Sequence, residues 1–381
     1  MHNHPSKLAN FEKDIKYQSC NIYNFNLKLT LNRSIALSLI PQIIFVKWIG
    51  RHPQIVEKYY SNGLYPLLSS FFRTLFGWIP FSIGDLIYFF LILLAIGYII
   101  TNRRYIRKNL KTFLINCVMI ISIAYFTFHL LWGFNYYREP IANKFNLEEE
   151  YTQEELISLA KKLVIKTNAT QLKITNDTSI AVVIPYTKKE IFSITLDGYT
   201  QLQEKYPFLS YQNPSIKKSL FSTGLTYMGY GGYLNPFTNE AQVNGILPTF
   251  RFPIVAGHEI GHQIGYSAEN ETNFVGYLVT MNNKDVYFKY AAYAYALGYC
   301  LNDIHQRDPK IFNALLEDLN PGVRKNYQEM TDFWHSYKNP LEPVFKSIFS
   351  NFLKANNQTQ GIQSYNAVVS LFIAYHKKHT L

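Results

Sequence analysis

Residues 254–265 read IVAGHEIGHQIG, and the fold of the soluble part of the chain turns on how the centre of that stretch, His258 to His262, is built. On an α-helix His258 and His262, at i and i+4, project from one face one turn apart. Two neutral imidazoles so placed can share one Zn2+ at about 2.0 to 2.1 Å each. Glu259 lies too far round to join them. It can reach a water on the open side, take its proton during attack on a carbonyl and return it to the leaving amine. With ten histidines in 381 residues, an H-E-x-x-H string arises by chance roughly once in a hundred such chains. The flanking Ile254, Val255, Ile260 and Ile264 predict a largely buried helix, and burying two histidines and a glutamate without a partner is unfavourable unless a metal supplies one. Gly257, Gly261 and Gly265 each weaken a helix by about 1 kcal/mol relative to Ala, which points to close packing or ligand access.

The motif is that of the zincin metallopeptidases. The longer string HEIGHQIGYSAENETNF (258–274), with NPFTNEAQVN (235–244) before it and LKANNQTQGIQSYNAVVSLF (353–372) near the end, resembles a bacterial family of multi-pass membrane proteins catalogued as a domain of unknown function and regarded, by inference from the same residues, as zinc peptidases. Metzincins require a histidine where this chain has Ala268. That leaves the gluzincin arrangement, in which a carboxylate from the following helix is the third ligand. Ser267 is a plausible N-cap for a helix to about Met281. On it Glu271 shares a face with Phe274, Val275 and Leu278, the apolar stripe expected to turn inward. Glu269 shares the polar face of Thr272, Asn273 and Gly276, where it suits the first turn or a hydrogen bond to a ligand histidine. The expected metal ligands are therefore His258, His262 and Glu271, with Glu269 as the alternative and Glu259 as general base. In gluzincin-like sites an edge strand before the motif helix binds the peptide; residues 240–247 (EAQVNGIL), presenting Ala241, Val243 and Asn244, are placed for that or for a purely structural strand.

Working outward toward the N-terminus, residues 82–100 carry a single charge, Asp85, and residues 113–134 none apart from His129. Each is long enough to cross a hydrocarbon core of about 30 Å. Residues 34–49 are shorter and contain Pro41, Gln42 and Lys47, so a third span or a re-entrant helix both fit. Between the two firm spans lie Arg103, Arg104, Arg107, Lys108 and Lys111, a cluster that holds its loop in the cytoplasm. The soluble part then lies outside. The expected order is a cytoplasmic tail (1–33), a membrane region (34–134) and a zincin-like catalytic domain (135–381), in the bacterial inner membrane. The formal net charge of +11 sits beside apolar runs as in membrane proteins, so no nucleic-acid partner is expected. Cys20, Cys117 and Cys300 are too scattered for a disulfide framework or cysteine metal site.

Within 135–381 the fold class is α+β, mostly α. Thr152 and Glu155 form a capping box, 180–185 (IAVVIP) reads as a strand, 191–206 as a helix, and 227–236 as a strand or turn. Helical patterns follow over 274–281, 287–304, 309–319, 323–337, 343–353 and 365–377. The functional expectation is a membrane-anchored zinc peptidase acting on a peptide or protein. The alternatives are a zinc hydrolase of a non-protein envelope amide and a membrane scaffold or sensor with a structural metal site. Tyr233, Tyr290, Tyr295, His335 and Tyr365 are candidate oxyanion donors.

Overall fold

The computed structural model of the chain describes residues 30–381; the expected N-terminal tail lies almost wholly outside the described residues. The chain divides into two units, one containing the described residues up to Ile49 together with Leu91–Leu130, the other Gly50–Phe90 together with Leu131–Leu381.

In the first unit, helix α1 (Thr30–Ile49) lies against the helix that begins at Leu110. Polar side chains join them: Asn32 Nδ2 donates to Asn116 Oδ1 at 2.8 Å, and Gln42 Nε2 to Ser122 Oγ at 2.9 Å. Such bonds serve as glue between helices in a medium that offers no competing water. Two helices, α3 (Ile83–Thr101) and α4 (Leu110–Leu131), are each long and apolar enough to cross a membrane, and a third crossing exists if α1 and Pro53–Gly77 count as one bent span.

The second unit is helical around a three-stranded sheet. Residues 50–90 belong to it, and their aromatic side chains divide: Tyr60 and Tyr65 are buried, whereas Phe71 on helix α2 (Tyr65–Gly77) and Trp78 just after it are exposed. After α4 come α5 (Gln153–Thr175) and α6 (Lys188–Lys205), each opened by a capping box, Thr152 with Glu155 and Thr187 with Glu190. The strands are β1 (Ile216–Lys218), β2 (Gly232–Asn235) and β3 (Glu240–Val243), ordered β1-β3-β2, with β3 parallel to β1 and antiparallel to β2. Helix α7 (Ser222–Met228) leads into β2. The motif helix α8 (Phe252–Gln263) and α9 (Glu269–Met281) follow, then α10 (Val286–Arg307), capped by the Asp285 carboxylate, α11 (Pro309–Glu317), α12 (Pro321–Ser336), α13 (Glu342–Ala355) and α14 (Val368–Lys378).

Residues 180–185 are extended but join no sheet. Val182 and Ile184 point into the core as a strand's alternate residues would. The backbone groups of Val182, however, pair with the Asn326 side chain, its N–H to Oδ1 and its carbonyl from Nδ2, both at 3.0 Å. A side-chain amide thus takes the place of a neighbouring strand.

Helices α8 and α9 cross where both are bare. A Cβ on Gly276 would stand 2.9 Å from His258 N and Ile254 O, and one on Gly257 3.1 Å from the Gly276 Cα. Thr272 closes against Gly261 in the same seam. The glycines that weaken the helix are what lets the two backbones touch.

Candidate metal centre

That seam brings the first turn of α9 to the histidines. His258 Nε2 and His262 Nε2 lie 3.3 and 3.6 Å from the same oxygen, Glu269 Oε2, and all three are buried. Ligand atoms held at about 2.0 to 2.1 Å around a tetrahedral ion stand roughly 3.3 Å apart, so the spacing suits one small cation. Each imidazole is fixed from behind. His258 Nδ1 is 2.9 Å from Asn273 Oδ1 and His262 Nδ1 is 2.7 Å from the Tyr266 carbonyl. Both neighbours are acceptors, which assigns the proton to Nδ1 and leaves the Nε2 lone pairs facing Glu269. Glu269 Oε2 has no hydrogen-bond partner in the protein. Burial would raise its pKa, but where the adjoining imidazoles carry a proton on Nε2 they hold it well below the usual carboxylate range.

Glu271, the expected third ligand, is not in this cluster. Its Oε1 accepts from Ile141 N at 2.7 Å, and burial pushes its pKa up to about 7, against the pull of that N–H and of Arg138. The helix begins at Glu269, with Ala268 rather than Ser267 at the N-cap. The inward-face argument fails because α9 has no outward face: Thr272, Asn273 and Gly276 are as deeply set as Phe274, Val275 and Leu278. The small polar side meets the motif helix.

Glu259 lies under the sheet edge. A Cβ on Gly232 would come within 2.5 Å of Glu259 Oε1, so only glycine admits the carboxylate beside β2. Its Oε2 is buried without a partner, and burial pushes its pKa up to about 8. Tyr365 adjoins both carboxylates: the pKa of its phenol is raised by burial first, then by Glu269 and by Glu259. The other candidate oxyanion donors are engaged elsewhere or placed differently. Tyr233 OH donates to Asp85 and Tyr290 OH to Asn326, Tyr295 packs under Arg251, and His335 is exposed.

Ala241, Val243 and Asn244 do not form a substrate-binding edge. Residues 240–243 are the central strand, buried throughout and paired on both sides, and the Asn244 side chain donates to Thr226 Oγ1 and the Tyr230 carbonyl. Alternation of polar and apolar residues suggested exposure here, yet Gln242 and Asn244 are fully buried. The sheet's edges are β1 and β2, and β2 is the one that borders Glu259.

The end of the motif helix is held by residues far away in sequence. Tyr65 OH and Arg73 Nη1 reach the Gln263 carbonyl at 2.8 and 3.2 Å, and Trp132 Nε1 reaches the His262 carbonyl at 3.2 Å. These satisfy carbonyls that a helix end leaves open. Sequence spacing carries no signal for Asn273, Tyr365 or Trp132; the seam of glycines is the one local cue to the helix that supplies Glu269.

Fold and cluster together define a predominantly helical protein with membrane-crossing candidates and a buried two-histidine, one-carboxylate group. The family described as protein of unknown function (DUF3810) matches residues 60–373, and the chain belongs to it. Neither the curated proteins nor the solved structures contain a match.

Proposed function

We propose that the chain is a membrane-anchored, zinc-dependent metallopeptidase whose catalytic residues face the outer side of a bacterial inner membrane. The observation that carries this reading is the convergence of His258 Nε2, His262 Nε2 and Glu269 Oε2, beside a second buried carboxylate oxygen, Glu259 Oε2, with no protein partner. A structural site needs ligands; it has no use for an unpaired base.

His258, His262 and Glu269 would hold the ion. When bound, it supplies a Lewis acid that polarises a carbonyl and acidifies water near neutral pH. Glu259 takes the proton of the attacking water at Oε2 and delivers it to the amine that leaves. Tyr365 is positioned to donate to the carbonyl oxygen as charge develops there. On β2 the antiparallel register makes Asn244 N donate to the Gly231 carbonyl, which turns the backbone groups of Gly232 and Leu234 away from β3. An extended peptide can pair with them alongside Glu259.

Purified full-length protein tests the reading by elemental analysis and hydrolysis of a peptide mixture. About one zinc per chain is expected. Glu259→Gln should retain it while losing about 10²-fold or more in rate. Protein without metal, with iron in place of zinc, or with hydrolysis intact in Glu259→Gln would overturn the proposal.

A further inference from the structure

Arg251 stands immediately before the motif helix and is half-buried, yet among the described residues no carboxylate pairs with its guanidinium. Its guanidinium lies over the face of Tyr295, 4.4 Å from the ring centroid. The other inward-set arginines are spoken for: Arg73 donates to the Gln263 carbonyl and Arg138 to Glu57. Arg251 instead lines an open cavity of about 320 Å³, walled by Tyr295, Tyr299 and Tyr327 and rimmed by Asn302 and Asn366.

This cavity adjoins the metal centre. Tyr299 OH accepts from Asn273 Nδ2 at 3.3 Å, and Asn273 is the residue that orients His258. Asn366 on the rim follows Tyr365, whose phenol lies against Glu269. Tyr327 has committed its proton to the Ala294 carbonyl, and the charged donors in the lining are those of the guanidinium. A planar fork of N–H groups without a counter-ion, over an aromatic wall, matches a carboxylate. The chain's excess of positive charge favours the same kind of guest.

We infer that Arg251 and its tyrosine-walled cavity bind a carboxylate of the substrate, either the C-terminal carboxylate of a peptide or an acidic side chain next to the scissile bond. This rests on the peptidase reading for its meaning but can be measured apart from it. The probes are N-acetyl dipeptides prepared as free acids and as primary amides, together with N-acetyl-glutamyl and N-acetyl-glutaminyl amides. Calorimetry on zinc-loaded, full-length Glu259→Gln protein reports binding without turnover.

At least one carboxylate probe should bind about tenfold or more tightly than its neutral partner, a difference typical of a charge-assisted bond. A preference confined to the free acids identifies the C-terminus as the source, and one seen with glutamyl over glutaminyl amide identifies the side chain. Adding Arg251→Gln should abolish the preference with zinc content and melting temperature unchanged, and Arg251→Lys should restore part of it. Equal binding of acid and amide, no binding of any acid at millimolar concentration, or a preference that survives Arg251→Gln would overturn the inference. An intact preference in a protein that hydrolyses no peptide would refute the peptidase reading alone.

Discussion

Two glutamates two positions apart on α9 meet opposite surroundings. Glu269 finds two imidazole lone pairs, while Glu271 finds a single backbone N–H. Glu269→Ala is therefore expected to abolish zinc retention during purification, measured by elemental analysis. Glu271→Ala should keep the metal and lower stability by about 1 to 3 kcal/mol, the typical effect of leaving a buried donor unpaired. Zinc lost from the Glu271 variant and kept by the Glu269 variant would reverse the assignment. A second residue-scale consequence lies away from the site. His376 receives the Tyr277 hydroxyl at Nε2, 2.6 Å away, and faces the His379 carbonyl through Nδ1 at 3.0 Å. Burial pushes its pKa down to about 4, with the charges of His379 and Lys162 acting in the same direction. Between about pH 6.5 and 4 the unfolded chain then binds more protons than the folded one, so the stability from neutral His376 is present above 6.5 and lost as pH falls toward 4. The amount is at most on the order of 3 kcal/mol, from about 1.4 kcal/mol per pKa unit. Melting temperatures across that window should fall in the wild type and fall less in His376→Gln; parallel curves would remove His376 as the cause.

At the scale of elements, the seam between α8 and α9 decides whether the site exists at all. Gly276 faces the backbone of Ile254 and His258, not flexible side chains that could move aside. Gly276→Val must separate the two helices, and with them Glu269 from the histidines. A lower melting temperature and weaker zinc retention are both expected, and wild-type metal affinity in a folded Gly276→Val protein would show that the seam does not set the ligand spacing. The seam also explains what could be read in advance. His258, Glu259 and His262 were legible because their relation is local, four residues on one helix. Glu269 was legible only as the alternative to Glu271, because hydropathy marks a helix face only where one side meets solvent, and every residue from 271 to 281 is buried. The same blindness affected β3: its polar Gln242 and Asn244 are buried at the centre of the sheet, while the edge beside Glu259 is β2, a strand of four residues announced only by the density of Gly and Tyr. Residues 180–185 have a strand's composition without a strand's partner, and nothing local reveals that Asn326 occupies that place.

At the scale of the whole molecule, the first turn of α3 is bound to the sheet within the second unit. Glu240 on β3 accepts from Ile83 N and Gly84 N at the first turn of α3, and Lys217 balances its charge. Asp85, one residue further along, accepts from Leu220 N and Ser219 Oγ and from the Tyr233 hydroxyl on β2. Carboxylates at a helix N-terminus are stabilising, and here they tie the start of a span to the sheet beside Glu259. If that end of α3 lies with the catalytic residues, its other end, and the basic cluster from Arg103 to Lys111, lies across the bilayer. Five positive charges in a short loop favour the cytoplasmic side, and on the orientation proposed above the His258–His262–Glu269 cluster is expected on the outer side. Single cysteines test this in a background lacking Cys20, Cys117 and Cys300. Gln306→Cys, exposed on α10, should react with a membrane-impermeant maleimide once the outer barrier alone is opened, and Asn109→Cys only after the inner membrane is breached. The reverse pattern would place the zinc site in the cytoplasm. Labelling of both positions at the same stage would mean that α3 and α4 do not each cross.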